Sequence, residues 1–354
     1  MTVAAFMDAA LYDTEFGYYA RTARRSGRAG DFFTSVDVGP LFGELLARQV
    51  VEMAGLLESP VDLVEAGAGN GRLSADILRA IRRTHPALYD RVRLHLVEIS
   101  AEARAAQRES LGDLQDRLAS SSPDLPTGFT GVLIANELLD AFPVHQVVMR
   151  REGLREVYVD VRANRLTTIE GQVSTPGLSE YLERERIALE PGWCAEINLR
   201  AVEWTRAAVQ SMTRGFVILI DYGHPARELY SVTHSGGTLT TFSRHTMAGP
   251  ERPGATPAWL ERPGEQDITS HVDFTSVQRA AEGEGAAVLG FLDQTYFLLG
   301  LKAAEIEADD LKTRLALKTL LMPGGLGSTL KVLILSKNVG TPALLGCSFR
   351  VRVT

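Results

Sequence analysis

The sequence has few cysteines and no long apolar run. Among 354 residues, only Cys194 and Cys347 are cysteines, and they lie far apart in the chain. Two distant cysteines exclude a disulfide framework and suit a reducing compartment. No run of about 18 apolar residues occurs, so we expect no membrane-spanning segment. The first eight residues lack the charged start and apolar core of a signal peptide, and we expect a cytoplasmic protein.

The chain also lacks an excess of positive charge. Lys and Arg number 37 against 44 Asp and Glu, and the formal net charge is -7 at pH 7. Nucleic-acid-binding domains are usually strongly basic, so we expect no nucleic-acid partner. No G-x-x-x-x-G-K-[S/T] phosphate loop occurs. The 7 histidines show neither H-x-x-x-H nor paired Cys/His spacing, and the sequence therefore predicts no metal site.

What the sequence does contain is a glycine turn directly after an apolar run. The run covers residues 61–66, and an amphipathic stretch follows the turn at residues 73–81. The turn itself contains Gly67, Ala68, Gly69 and Gly71. This order predicts a strand, a tight turn and a helix, the first half of a nucleotide-type α/β unit. Glycines there let the backbone approach a ligand closely.

The residues around the turn narrow the ligand class. The spacing is G-x-G-x-G, and Arg72 stands where a dinucleotide fold would have its last glycine. Glu65, near the end of the apolar run, suits a cationic ligand better than a pyrophosphate. A second apolar run, residues 92–97, ends in Glu98, where a carboxylate can bind ribose hydroxyls. S-adenosylmethionine carries an ammonium and a sulfonium and no phosphate, so the pattern favours it over NAD.

A third apolar run, residues 131–135, is followed by polar side chains. They are Asn136, Glu137 and Asp140. In an open parallel sheet, groups just beyond the carboxyl ends of strands face the ligand crevice, which makes these three candidate site residues. The alternative interpretation is a helix N-cap with acidic residues in its first turn.

The alternation of strand and helix patterns predicts an α/β fold with a Rossmann-like, doubly wound, mostly parallel sheet. Residues 144–168 alternate in hydrophobicity and predict an antiparallel hairpin. The predicted divisions are an N-terminal helical cover at 1–60, a core at 61–223 and 315–354 with a hairpin insertion at about 144–170, and an inserted subdomain at 224–314.

Several stretches together resemble the MidA-like family of class I S-adenosylmethionine-dependent methyltransferases. In the family's order they are residues 11–13, 16–19, 30–35, 41–46, 63–71, 95–100, 136–145, 221–224, 264–269 and 271–274. The resemblance covers most of the chain. It assigns Glu65 and the three glycines to the cofactor loop and Glu98 to the ribose. After Thr34 and Ser35, which we also expect near the cofactor, the family usually has Pro-Glu where Val36-Asp37 stands here.

The resemblance implies methylation of a protein arginine. A guanidinium has a pKa above about 12, so carboxylates must orient it and accept the proton that it loses. Glu137 and Asp140 are the predicted pair for this role. An oxygen acceptor would instead need a general base, for which His145, His224 and His245 are candidates. The sequence leaves two other functions open, a small-molecule O- or C-methyltransferase and a non-catalytic assembly protein. It also leaves open whether the protein forms a homodimer.

Overall fold

A computed structural model describes residues 1–22, 34–57, 60–243, 246–247, 256–322 and 326–349. The predicted features at residues 30–33 and at His245 lie outside these ranges. The helices are α1 (Val3–Tyr12), α2 (Tyr18–Thr22), α3 (Pro40–Ala54), α4 (Arg72–Thr84), α5 (Pro86–Tyr89), α6 (Ala101–Leu111), α7 (Gly177–Glu185), α8 (Leu199–Ser211), α9 (Ala226–Leu229), α10 (Phe274–Gly283), α11 (Gln294–Gly300), α12 (Leu311–Leu321) and α13 (Leu326–Thr329). Within these ranges, every helix is too short or too polar to cross a bilayer.

The strands alternate with these helices over much of the chain. They are β1 (Val61–Ala66), β2 (Val92–Val97), β3 (Leu118–Ser122), β4 (Phe129–Asn136), β5 (His145–Arg150), β6 (Gly153–Arg162), β7 (Arg165–Gly171), β8 (Cys194–Ile197), β9 (Met212–His224), β10 (Thr240–Ser243), β11 (Thr246–Met247), β12 (Asp267–Thr269), β13 (Val272–Asp273), β14 (Ala287–Asp293) and β15 (Leu330–Lys337).

Contacts divide the chain into two compact units. Unit 1 comprises the described residues of Met1–Phe32, Leu139–Trp204 and Tyr222–Arg279. Unit 2 comprises those of Phe33–Leu138, Thr205–Asp221 and Ala280–Thr354.

Unit 2 is built on the predicted mostly parallel sheet. Its strand order is β14-β15-β9-β4-β1-β2-β3. Strands β3, β2, β1, β4 and β9 pair in parallel, while β14 pairs antiparallel with β15. All six residues of β1 are buried, as expected for a strand inside a parallel sheet. The chain order reverses between β1 and β4, and the crevice beyond such a switch point is where α/β sheets bind ligands.

The helices of unit 2 follow from local signals in the sequence. Pro40 occupies the first turn of α3, where its missing N–H costs nothing. The Ser100 hydroxyl caps α6 by accepting from Ala103 N at 3.2 Å. A Cβ at Gly43 in α3 would meet Asp76 Cβ of α4 at 2.6 Å. That glycine therefore allows the two helices to approach closely.

Unit 1 contains a four-stranded sheet of order β7-β6-β5-β8 and a three-stranded sheet of order β11-β10-β12. The predicted antiparallel pairing after residue 144 is confirmed by β5, β6 and β7, although these strands form a separate sheet. The core of unit 1 consists of Val3, Phe6, Met7, Ala10, Leu11, Tyr18, Val144, Val148, Val157, Val159, Trp259, Leu260 and Ile268.

Two predicted divisions need correction. Residues 287–293 were expected in the insertion, but they form β14, which hydrogen-bonds to β15 in the sheet of unit 2. The predicted cover at 1–60 is also split, because α1 packs in the core of unit 1 while α3 belongs to unit 2. In both cases the local pattern reveals the helix or strand, and only long-range pairing reveals its place.

Candidate active site

The glycine turn after β1 has the predicted geometry. Gly67, Gly69 and Gly71 have φ values of 70°, 50° and 79°, in the left-handed region that favours glycine. The backbone N–H groups of Gly67 and Ala68 donate to Val97 O at 2.9 and 3.0 Å, which ties the turn to the end of β2. A Cβ built on Gly69 would have no atom within 4 Å. The middle of the turn therefore faces open space.

Glu65 lies in β1 and supports the helix that follows the turn. Its carboxylate accepts from Ser74 N at 3.1 Å and from the Ser74 hydroxyl. Burial is the main cause that raises the pKa of Glu65 to about 7, and the negative charges of Glu98 and Asp76 are smaller contributions to that value. Glu65 thus titrates near neutrality beside the first turn of α4.

Glu98, directly after β2, holds the glycine turn from the other side. Its Oε2 accepts from Gly69 N at 2.9 Å and its Oε1 from Ser100 N at 2.8 Å. Gln107 donates to Gly69 O at 2.9 Å. Both polar groups of the Gly69 peptide are therefore held by side chains, and each Glu98 oxygen retains acceptor capacity.

Glu137, directly after β4, has an uncommon backbone conformation. It has a φ of 51°, which is uncommon outside glycine and recurs at functional sites. Its Oε1 accepts from Ser35 N at 3.2 Å and from Asn136 Nδ2 at 3.1 Å. Among the described residues, Glu137 Oε2 and Asn136 Oδ1 are buried without a hydrogen-bond partner. A bound cation would provide a partner for these two acceptors, which belong to neighbouring residues.

Burial is the main cause that raises the pKa of Glu137 to about 8, and the nearby charge of Asp221 is one of the contributions to that value. Asp221 is itself 1% exposed and accepts from Leu138 N at 3.0 Å. The Glu137 carboxyl can therefore exchange a proton near neutral pH, as a catalytic acid or base must.

The segment before α3 closes over this part of unit 2. Thr34 donates to Asp37 Oδ2 from its N–H at 3.1 Å and from its hydroxyl at 3.0 Å. The Ser35 hydroxyl donates to Gln294 Oε1 at 3.2 Å. Arg72 Nη2 donates to Asp37 Oδ1 and to Val36 O, both at 2.7 Å. The predicted cofactor residues Thr34 and Ser35 thus use their hydroxyls within the protein.

The other two predicted catalytic residues belong to unit 1, whereas Glu137 belongs to unit 2. Asp140 is 4% exposed, and its backbone carbonyl accepts from Ser270 N at 3.0 Å. His145 begins β5, and its Nδ1 lies 2.8 Å from Oε1 of the fully buried Glu156. Tyr18 and Tyr19 pack with the core of unit 1.

Sequence reasoning missed Asp37, Arg72 and Asp221. A signal existed for Asp221, because it follows the apolar run of β9 just as Glu98 follows that of β2. Arg72 drew attention only as the residue replacing a glycine. No local pattern indicated its pairing with Asp37, which lies 35 positions earlier in the chain.

Unit 1 also contains a cavity of about 1020 Å³. Its lining includes Trp259, Cys194, Gln146 and Glu170. None of the predicted site residues lines it.

Comparison with known proteins identifies related chains. Residues 45–292 match the model of a family described as S-adenosyl-L-methionine-dependent methyltransferases. The mitochondrial protein arginine methyltransferase NDUFAF7 of Danio rerio is 27% identical over 325 residues, covering 84% of this chain and 72% of that protein. Its counterpart from Rattus norvegicus is 29% identical over 326 residues, covering 84% of this chain and 70% of that protein.

Two solved structures are also similar to this chain. A Burkholderia thailandensis protein bound to S-adenosyl-homocysteine superposes with a TM-score of 0.86 and 30% identity, covering 99% of this chain and 90% of that one. A native crystal structure from the same organism gives a TM-score of 0.84 at 30% identity, with the same coverage.

Proposed function

Because the chain belongs to the family of S-adenosyl-L-methionine-dependent methyltransferases, we propose that it methylates arginine side chains of a protein. Its cofactor is S-adenosyl-L-methionine, which supplies an electrophilic methyl group on a sulfonium. The arginine acceptor is supported by the relatives named as protein arginine methyltransferases. The observation that carries the proposal is the buried carboxyl of Glu137, one oxygen of which has no hydrogen-bond partner in the part of the chain that the structure describes.

The residues of unit 2 fit this cofactor. The open space at Gly69 allows close approach to the backbone, and a side chain there would occupy it. We assign Glu98 to the ribose hydroxyls, and the acceptor capacity that its oxygens keep while they accept from Gly69 N and Ser100 N supports this assignment. Asn136 Oδ1 is an acceptor that lacks a partner among the described residues, and the ammonium of the cofactor is a cationic donor. All of these groups come from the carboxyl ends of neighbouring parallel strands.

Glu137 suits an acceptor that must lose a proton. A guanidinium nitrogen that bonds to the methyl carbon must release a proton to remain a single cation. A carboxylate beside it orients the planar group and accepts that proton. A carboxyl whose pKa is about 8 accepts a proton more readily than an ordinary glutamate, whose pKa is near 4.5. Glu137 therefore serves as the orienting carboxylate and general base of the proposed reaction.

The acceptor can be tested by labelling. The purified chain is incubated with methyl-labelled S-adenosyl-L-methionine and, separately, with a cell extract lacking its own copy of the protein or with the small-molecule fraction of that extract. Protein hydrolysates are then analysed for methylarginine. Label on arginine with wild type, and its loss with Glu137→Gln, is the expected result. Label confined to small molecules, or to other side chains, would overturn the arginine proposal in favour of another acceptor.

A further inference from the structure

Three histidines of unit 1 lie next to one another. His224 ends β9, His234 ends the 3₁₀ turn Val232–His234, and His271 directly precedes β13. All three are partly buried, and their possible ligand atoms lie within 4.8 Å of one another. Their ring centroids are separated by 4.8, 5.2 and 5.9 Å. Three separate segments thus each contribute one imidazole to a common centre.

Strand pairing brings two of these histidines together. β13 pairs in parallel with the end of β9, with Val272 opposite Gly223 and Asp273 opposite His224. This register places His271 beside the end of β9. The backbone N–H of His271 also donates to the Thr238 hydroxyl at 3.1 Å. The pairing of β13 with β9 and the hydrogen bond to Thr238 therefore both hold the backbone at His271.

The third histidine is held by the short helix α9. The backbone carbonyl of Glu228 lies 3.0 Å from His234 Nδ1. The carboxylate of the same residue lies 2.8 Å from His224 Nδ1. A single residue therefore contacts two of the three rings, one through its backbone and the other through its side chain.

These contacts favour one tautomer in both rings. A carbonyl oxygen can only accept, so its neighbour His234 Nδ1 carries the proton, and a carboxylate favours the same at His224. Each ring then keeps its lone pair on Nε2. Histidines that bind metals commonly have one nitrogen fixed in this way by a carbonyl or carboxylate. The site thus combines three imidazoles with contacts to Glu228 that orient two of them.

We propose that His224, His234 and His271 bind a Zn²⁺ ion, with Glu228 orienting two of the ligands from the second coordination shell. Three imidazoles suit zinc, and a fourth position would remain for water or another oxygen. Tetrahedral ligands with Zn–N bonds of about 2.0–2.1 Å lie roughly 3.3 Å apart. Small rotations of the three rings would bring the nitrogens from within 4.8 Å to that separation.

The proposed ion would link the end of β9, the turn after α9 and the start of β13. Zinc bound only to the folded state stabilises that state by mass action. The proposal concerns unit 1 alone and is independent of methyl transfer. It can therefore succeed or fail separately from the proposed function.

The test uses the full chain without an affinity tag. After removal of metals, the protein is dialysed against buffered Zn²⁺ and its metal content is measured. One Zn²⁺ per chain is the expected result, together with a rise in melting temperature. Replacement by Co²⁺ should give the intense visible absorption of a tetrahedral site. Wild-type protein that stays free of zinc would overturn the proposal.

Substitutions of the cluster residues test whether the ion binds at this site. His234→Ala and His271→Ala should each weaken zinc affinity by at least about 100-fold, and Glu228→Gln by about 10–100-fold. Glu228→Gln changes a side chain that is 48% exposed, so it tests the site without disturbing a core. The matched control is His85→Ala, which removes an exposed histidine outside the cluster and should bind zinc as wild type does. Undiminished zinc binding in both cluster variants would show that the ion binds elsewhere and would refute the site.

Discussion

Arg72 Nη2 donates to Asp37 Oδ1 at 2.7 Å, which joins the first residue of α4 to the segment that precedes α3. The same nitrogen donates to Val36 O at 2.7 Å. Arg72 follows Gly71 directly, so the contact fastens residues 34–37 to the glycine turn. The residue that breaks the dinucleotide motif therefore has a structural role of its own.

Loss of this contact should weaken cofactor binding. In Arg72→Gln, the segment that supplies Ser35 N to Glu137 loses its link to the glycine turn. We expect S-adenosyl-homocysteine affinity, measured by calorimetric titration, to fall about tenfold, which corresponds to about 1.4 kcal/mol. The control is Arg82→Gln, which breaks the more exposed ion pair with Asp113 and should leave affinity within about twofold of wild type. Equal affinity in the two variants would argue against a link between the segment and the cofactor.

A side chain at Gly69 should abolish cofactor binding while the fold survives. At φ 50°, Gly69→Ala is expected to cost about 1–2 kcal/mol of stability, since the left-handed region disfavours Cβ. Gly69→Ala should also weaken binding of S-adenosyl-homocysteine. Gly69→Val adds a branched side chain in the open space of the turn and should reduce this affinity at least as strongly as Gly69→Ala does. Binding and urea unfolding are measured on the same samples.

Gly285→Ala is the matched control for this substitution. Gly285 has a φ of 82° and also has no atom within 4 Å of a built Cβ, but it lies in the turn after α10. A similar loss of stability with unchanged binding is expected. If Gly69→Ala bound S-adenosyl-homocysteine as well as Gly285→Ala does, the cofactor would not lie against the glycine turn.

Glu98→Ala should lower affinity for the adenosine part of the cofactor. The substitution removes an acceptor from Gly69 N and from the proposed ribose hydroxyls. Hydrogen bonds to charged groups contribute about 1.5–3 kcal/mol, so a loss of about 10–100-fold is expected for S-adenosyl-homocysteine. Adenosine should show a similar loss, whereas Glu109→Ala, an exposed change in α6, should bind both as wild type does. A normal adenosine affinity in Glu98→Ala would remove the ribose assignment.

The raised pKa of Glu137 predicts a specific pH dependence of stability. Because the folded-state pKa is about 8 and the ordinary value is 4.5, the folded protein binds the proton more tightly than the unfolded chain does. The stabilisation is complete below about pH 4.5 and is lost as pH rises through 8, by up to about 1.4 kcal/mol per pH unit. Glu137→Gln should therefore gain stability relative to wild type between pH 6 and pH 8.

Urea unfolding of both proteins at pH 6, 7 and 8 measures this difference. Other groups with raised pKa values, such as Glu65, are present in both proteins and cancel in the comparison. A difference that stays constant across this range would mean that Glu137 is ionised throughout. It would then lose its assignment as a base that titrates near neutrality.

The sequence predicts much of the fold because its signals are local. Apolar runs and the glycine turn each depend on residues within one element and its neighbours. For that reason β1 and α4 are predicted close to where the structure has them. By contrast, β14 was assigned to an insertion, because nothing within residues 287–293 indicates that their partner is β15, about forty residues later.

The sequence by itself determined the backbone of the glycine turn and the carboxylates at the ends of β1 and β2. Only glycine adopts such φ values at little cost, and the carboxyl ends of parallel strands meet at one edge of a sheet. Tertiary structure alone decided the rest. The pKa of Glu137, the pairing of Arg72 with Asp37 and the cluster of three histidines depend on groups that are far apart in the chain. Burial and electrostatic interaction depend on distance in space, which a local sequence pattern does not specify.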